Sequence, residues 1–245
     1  PLPKIIQLQE TYGFRIHADA AYGGYFTLAS LLRNDARASF DALVNADSIV
    51  IDPHKHGLQP YGCGCVLFND ASVGQFYKHG SPYTYFSSAD LHLGEISLEC
   101  SRPGAAAVAL WATQQLLPPS PRGAFAAMLD NCIAAARQFF DRLEQSEHFL
   151  PLMVPELDIV VYAVNAADGT TASENARQVF GRAAEHDLHL ALIELPTKLV
   201  RQHAPQLRET SETITCLRSV LMKPEQLDWL DQIMTILETS VTEIV

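Results

Sequence analysis

Lys55 is the residue whose position best suits covalent chemistry. It follows an apolar segment, residues 49–51 (Ile-Val-Ile), which predicts a strand that is buried on both faces, as in a parallel sheet. Pro53 ends that strand, so Lys55 falls in a tight turn at its carboxyl end. Open α/β sheets bind ligands at that edge. An amine in this place can form a Schiff base with a carbonyl compound.

Asp19 holds an equivalent position on an earlier predicted strand, residues 14–18, and Gly23 and Gly24 follow it. Asp19 precedes Lys55 by 36 residues, a length that fits a crossover between parallel strands. We therefore expect a buried carboxylate and an amine to face one crevice. An ionised Asp can keep a pyridinium nitrogen protonated. Capping of the next helix, or pairing with an arginine, explains Asp19 equally well.

The segment from Ser72 to Leu93 is rich in Tyr, Ser, His and Gly and predicts a long loop that is functional or mobile. Tyr83 and Tyr85 are candidate proton donors in it, and an interface role fits these aromatic residues as well. Arg102 precedes an alanine-rich helix predicted over residues 105–116 and is a candidate ligand for an anion.

The composition excludes several functional classes. A net charge of -11 argues against a nucleic-acid partner, which requires clustered Lys and Arg. The sequence contains neither an apolar run of membrane-spanning length nor a positively charged leader, so we expect no membrane partner and a cytoplasmic location. The five cysteines have no spacing typical of a metal site, and we expect them to be reduced core residues and no metal to be bound.

A proline-rich segment, residues 118–121, is the predicted domain boundary. Beyond it the pattern predicts a small α/β domain over residues 120–245, in which helices cover a sheet. The predicted elements are a helix over 123–146, a strand over 157–164, a helix over 173–186, strands over 188–195 and 213–222, and a helix over 225–243.

Four motifs taken together resemble the pyridoxal-phosphate-dependent group II amino-acid decarboxylases, which include glutamate, aromatic, tyrosine and diaminobutyrate decarboxylases. The motifs are residues 17–24, residues 46–48 with 52–55, residues 101–104 and residues 216–220. The resemblance implies the aspartate-aminotransferase-like fold, fold type I. Residues 1–119 would then be the C-terminal part of the large cofactor-binding domain, with its mostly parallel sheet, and residues 120–245 the small C-terminal α/β domain.

The resemblance also implies roles for single residues. Lys55 would form the Schiff base with pyridoxal 5'-phosphate, Asp19 would pair with the pyridine nitrogen, Ala21 would press on the ring, and His54 would lie near the phosphate. Tyr83 or Tyr85 would return a proton to the substrate carbon, commonly in the neighbouring subunit's site. Many relatives have Asn at the position of Asp52, where a carboxylate would repel a phosphate.

The function implied is decarboxylation of an L-amino acid to the amine and carbon dioxide. Two alternatives remain: a carbon-carbon lyase or decarboxylating aldehyde synthase on the same scaffold, and a non-catalytic fragment with an interaction role. Members of the family have about as much chain again before the first strand seen here. We therefore expect a C-terminal portion that needs a further N-terminal segment or chain, in an enzyme that is a homodimer with sites at its interface.

Overall fold

The computed structural model describes residues 1–78 and 104–244. Its contacts divide the chain into unit 1, residues 1–28 and 33–125, and unit 2, residues 29–32 and 126–245. In chain order the elements are α1 (Leu2–Tyr12), β1 (His17–Asp19), α2 (Asn34–Asp41), β2 (Ser48–Ile51), β3 (Cys65–Phe68), α3 (Ala105–Leu116), α4 (Ala124–Gln145), β4 (Phe149–Pro151), β5 (Ile159–Val164), α5 (Gly169–Glu185), β6 (Ala191–Pro196), α6 (Thr197–His203), β7 (Thr213–Val220) and α7 (Leu230–Thr242).

Unit 1 contains a three-stranded sheet in the order β1-β2-β3. β1 pairs with β2 in parallel, with Asp19 opposite Val50, so the predicted crossover between parallel strands is confirmed. β3 pairs with β2 in the antiparallel direction. The connection from β1 to β2 passes through a 3-10 helix, Gly24–Leu28, and through α2.

A carboxylate ties the first helix to this sheet. Asp47 Oδ2 accepts hydrogen bonds from Gln9 Nε2 on α1, at 2.9 Å, and from the backbone N–H of Ile16, at 2.7 Å. Gly13 ends α1 in the left-handed conformation, with φ 70°, which glycine adopts without a steric penalty. The chain can therefore turn directly from α1 into β1.

The sheet of unit 1 is less buried than the sequence predicts. All four residues of β2 are half-buried, so the expectation of a strand buried on both faces is wrong for this structure. The apolar side chains of α1, Ile5, Leu8 and Tyr12, are exposed, although their spacing predicts a packed face. β-branched runs and helical periodicity indicate which faces are apolar; they do not specify which segment covers them.

Unit 2 has its own hydrophobic core. Its sheet is antiparallel in the order β4-β5-β7-β6. Helical spacing along α4 predicts an apolar stripe, and every residue of it is buried except Met128, which is half-buried: Phe125, Met128, Leu129, Cys132, Ala136, Phe139 and Leu143. α4 also anchors the segment 29–32, because Asp130 accepts hydrogen bonds from the backbone N–H groups of Ser30 and Leu31 at 2.8 and 3.0 Å.

Two predicted helices of unit 2 begin elsewhere. α5 begins at Gly169 and not at residue 173, because Asp168 caps it: its Oδ1 accepts a hydrogen bond from Thr171 N at 3.0 Å. The predicted helix over 225–243 divides into a 3-10 turn, Pro224–Leu227, and α7. Along the described ranges, no helix combines the length and apolar character needed to cross a bilayer.

Candidate active site

Hydrogen bonds hold the ends of β1 and β2 side by side beyond the strands themselves. Ala20 N donates to Val50 O at 3.1 Å, and Asp52 N donates to Ala21 O at 3.1 Å. Two parallel chains therefore continue together across the carboxyl edge of the sheet. The segment that follows Asp19 lies directly beside the residue that begins the Lys55 turn.

The Lys55 turn is a closed backbone structure. Lys55 N donates to Asp52 O at 2.9 Å, and Gln59 N donates to Pro53 O at 3.0 Å. Gly57 is needed for this closure, since a Cβ placed there would lie 2.6 Å from Pro53 Cα and 2.7 Å from Pro53 O. The backbone thus fixes where the lysine side chain begins.

The amine of Lys55 is held by a neighbouring carboxylate. Lys55 Nζ lies 2.9 Å from Asp52 Oδ2, and His54 Nε2 lies 3.6 Å from the same oxygen. The side chains of Asp52 and His54 are each 17% exposed and that of Lys55 is 33% exposed. One half-buried oxygen therefore faces both an ammonium and an imidazole.

The ring of His54 is oriented by its other nitrogen. His54 Nδ1 is 2.9 Å from Cys63 O, and because a carbonyl oxygen only accepts, Nδ1 carries the proton. The ring also lies against Tyr61, with 5.2 Å between ring centroids. His54 Nε2 consequently faces Asp52.

His56 is the buried residue of the Lys55 turn, and it was not identified from the sequence. It is 3% exposed and makes edge contacts with the rings of Tyr22 and Phe26, with centroid distances of 4.7 Å in both cases. Its Nδ1 lies 3.1 Å from Tyr22 O. No local signal in the sequence marks His56 as buried, because the rings that surround it come from a distant segment of the chain.

α3 closes the far side of the turn. Gln59 Nε2 donates to Thr113 Oγ1 at 2.8 Å, and Cys63 Sγ approaches Ala106 O at 3.9 Å. Tyr25 is half-buried under the turn, and its burial, with a smaller contribution from the two nearby cysteine thiols, raises the pKa of its phenol to about 12. Tyr25 therefore stays neutral at physiological pH.

Asp19 is exposed, so the expectation of a buried carboxylate is wrong for this structure. Its Oδ1 accepts a hydrogen bond from Ala21 N at 3.2 Å. Its Oδ2 makes no hydrogen bond to any of the residues that the structure describes. A carboxylate with one fixed and one available oxygen is suited to accept a hydrogen bond from a ligand.

Four of the predicted site residues meet at this edge of unit 1: Asp19, Ala21, His54 and Lys55. Tyr83 and Tyr85, the predicted proton donors, lie outside the described residues, as does Arg102. Their roles stay predictions.

Comparison with known proteins identifies the family. A family model described as the pyridoxal-dependent decarboxylase conserved domain matches residues 1–165. An L-tyrosine decarboxylase of Enterococcus faecium is 30% identical over 232 residues, covering 75% of this chain and 37% of the relative. An aspartate 1-decarboxylase of Aliivibrio fischeri is 30% identical over 162 residues, covering 66% of this chain and 28% of the relative.

The fold agrees with this result. The crystal structure of Oryza sativa TDC with PLP and tryptamine matches 100% of this chain and 48% of its own, with a TM-score of 0.77 and 16% identity. The fold is therefore fold type I, as the resemblance implies. The chain spans less than half the length of these relatives. It belongs to the pyridoxal-dependent decarboxylase family.

Proposed function

We propose that this chain forms part of a pyridoxal-5'-phosphate-dependent enzyme that decarboxylates an L-amino acid to the amine and carbon dioxide. One observation carries the proposal: Asp19 is the last residue of β1 and Lys55 lies in the turn that follows β2, and these two parallel strands are hydrogen-bonded side by side at their ends. That arrangement presents a carboxylate and a primary amine at the ligand-binding edge of the sheet. The comparisons support it through relatives that are named decarboxylases.

The residues present fit pyridoxal phosphate by their chemistry. Its aldehyde requires a primary amine, and Lys55 offers one that is partly open to solvent. Its pyridine nitrogen requires a carboxylate, and Asp19 has an oxygen that no described residue engages. When bound, the cofactor supplies an electron sink that accepts the electron pair left behind as carbon dioxide departs.

The residues of this chain would hold and orient the cofactor. Lys55 would hold the cofactor through its amine, and Asp19 would hold the proton on the ring nitrogen. Ala21 would offer a small side chain to the ring. His54, whose ring is fixed by Cys63 O, would bind the phosphate. Tyr83 or Tyr85 then returns a proton to the substrate carbon.

The test is covalent trapping. The protein that contains this chain is incubated with pyridoxal phosphate, its visible absorbance is recorded, and it is reduced with borohydride and mapped by peptide mass spectrometry. We expect a visible band and the modification at Lys55, and neither in Lys55→Ala. Lys4→Ala is the matched control, because Lys4 is exposed on α1. Full activity and cofactor colour in Lys55→Ala would refute the proposal.

The reaction type is tested by its products. A decarboxylase releases carbon dioxide and an amine, whereas a decarboxylating aldehyde synthase releases an aldehyde. We expect the amine, and a panel of acidic, basic and aromatic L-amino acids identifies the substrate class. Aldehyde as the main product would favour the synthase alternative.

We also propose that a further polypeptide segment covers unit 1 and that the assembled enzyme is a homodimer. Large apolar side chains on α1, β3 and α3 support this: Ile5, Leu8, Tyr12, Val66, Leu67, Phe68, Val108, Trp111 and Leu116 are all exposed. Exposed large apolar side chains in this number are typical of a surface that another segment covers. More than half of each relative lies outside the part matched here, and we propose that the covering segment corresponds to the N-terminal part of such a relative.

Light scattering distinguishes the possibilities for assembly. We expect the 27.0 kDa chain to associate with a separately produced N-terminal segment and the complex to have the mass of a dimer of such pairs. Trp111, which is 62% exposed, should shift its fluorescence to shorter wavelength on association. A monodisperse monomer that does not bind the segment would refute the proposed assembly.

We also propose a cytoplasmic location, which the free thiols of the described cysteines support.

A further inference from the structure

Asp52 is the acidic residue that contacts the lysine, and neither the family match nor the relatives' names assign it a role. We propose that Asp52 is a positioning residue that holds the Lys55 amine whenever that amine is not attached to the cofactor. This inference rests on the proposed function of Lys55. It replaces the sequence-based view of Asp52 as a residue that would repel the cofactor phosphate.

The carboxylate is placed by the backbone on both sides. Asp52 N donates to Ala21 O, and Asp52 O accepts from Lys55 N, so the residue is fixed to β1's continuation and to its own turn. The side-chain contact, 2.9 Å from Lys55 Nζ to Asp52 Oδ2, lies within that single turn. Because the backbone is already fixed, this contact has to order only the two side chains.

The carboxylate is also held independently of the lysine side chain. The backbone of Asp52 is bonded to Ala21 O and to Lys55 N, and neither contact involves Lys55 Nζ. His54 Nε2 lies 3.6 Å from Asp52 Oδ2, and Cys63 O holds the ring in that direction, so the doubly protonated form of His54 would balance the carboxylate's charge. Asp52 therefore remains in place while Lys55 carries the cofactor, ready to accept the amine again after its release.

The test measures how available the amine is in cofactor-free protein. Trace acetylation with sulfosuccinimidyl acetate, quantified by peptide mass spectrometry, gives the labelling rate of each lysine. We expect Lys55 to label more slowly than exposed Lys4 and Lys198 in the wild type. Asp52→Asn should raise the Lys55 rate about fivefold relative to those two lysines, a ratio typical of losing one partly exposed ion pair.

Conservative and neutral substitutions complete the design. Asp52→Glu restores a carboxylate and should return the Lys55 rate most of the way to that of the wild type, which a merely structural role does not predict. Asp41→Asn removes an exposed carboxylate that pairs with Arg37 and should leave Lys55 unchanged. Equal labelling of Lys55 and Lys4 in the wild type, or no response to Asp52→Asn, would overturn the proposal.

The assay separates this inference from the proposed function. Acetylation needs neither pyridoxal phosphate nor decarboxylation. A response of Lys55 to Asp52→Asn without trapping of the cofactor at Lys55 would leave the positioning contact standing and remove the enzymatic role. Trapping of the cofactor at Lys55 without any response of the Lys55 labelling rate to Asp52→Asn would support the enzymatic role and refute the positioning contact.

Discussion

Replacing Gly57 with alanine places a methyl group where the turn that carries Lys55 has no room. The new Cβ would lie 2.5 Å from Tyr25 OH, 2.6 Å from Pro53 Cα and 2.7 Å from Pro53 O. Ordinary van der Waals contacts of a Cβ are 3.4 to 4 Å, so each of these atoms would have to retreat by ~1 Å. Tyr25 can swing away, but the backbone of Pro53 cannot without opening the turn.

The cost follows from this overlap. Overpacking of well-packed sites costs about 1 to 3 kcal/mol, and a clash with ring-constrained backbone belongs at the upper end, so we expect a loss of ~3 kcal/mol for Gly57→Ala. Gly64→Ala is the matched control, because the nearest atom to its new Cβ is Asp52 Oδ1 at 3.6 Å, an ordinary contact. Its effect on the free energy of unfolding should stay within about 0.5 kcal/mol.

Two measurements check this prediction. The chain's tryptophans are Trp111 in unit 1 and Trp229 in unit 2. In a Trp229→Phe background, Trp111 fluorescence during urea titration reports the stability of unit 1. Reductive trapping of pyridoxal phosphate at Lys55 reports the local geometry. We expect Gly57→Ala to lower both the urea midpoint and the trapping yield. An unchanged urea midpoint together with an unchanged trapping yield at Lys55 would show that the turn has room for the methyl group and would refute the predicted clash with Pro53.

Three further predictions concern the fold. Asp47→Ala removes two hydrogen bonds that hold Gln9 of α1 and the backbone of Ile16 to the residue before β2, so urea titration should show a loss of about 2 kcal/mol, whereas exposed Asp41→Ala should show almost none. Gly181→Ala adds a methyl group with no atom within 4 Å on α5 and should raise the thermal midpoint by stabilising unit 2 by about 0.5 to 1 kcal/mol. Burial raises the pKa of the Cys216 thiol to about 12, so the unfolded state releases this proton first. Stability should therefore fall as pH rises from about 9 to 12, by up to ~1.4 kcal/mol per pH unit, and this component should disappear in Cys216→Ala.

Local patterns predicted the elements around the site well. The strand that ends before Asp52 and the helix α3 both appear where the sequence places them. A β-branched run stopped by proline, and an alanine-rich segment that follows a proline, depend only on neighbouring residues. The parallel pairing of β1 and β2 was predicted from the length of the crossover, which can be read directly from the sequence.

Contacts between distant residues were not predicted. Nothing near Asp47 in the sequence indicates that it binds Gln9, and nothing near His56 specifies the rings that surround it. Asp19 was predicted to be buried and is exposed for a similar reason, since the burial of a residue at a strand end depends on which distant segment packs over it. The cap at Asp168 is different: a short polar residue before Gly169 was a readable signal for the start of α5.

The ion pair between Asp52 and Lys55 shows how both kinds of information combine at the site. Its members are three residues apart, so one turn determines the contact, yet a sequence motif alone gives Asp52 no reason to face the lysine and not a phosphate. The decisive facts are long-range: Ala21 O fixes the backbone of Asp52, and Cys63 O turns His54 towards the same carboxylate. The Lys55 turn is thus held by backbone atoms of the segment after β1, of the turn itself and of the segment before β3. We expect a substitution that displaces any of these three backbone segments to change the reactivity of the Lys55 amine without altering Lys55 itself.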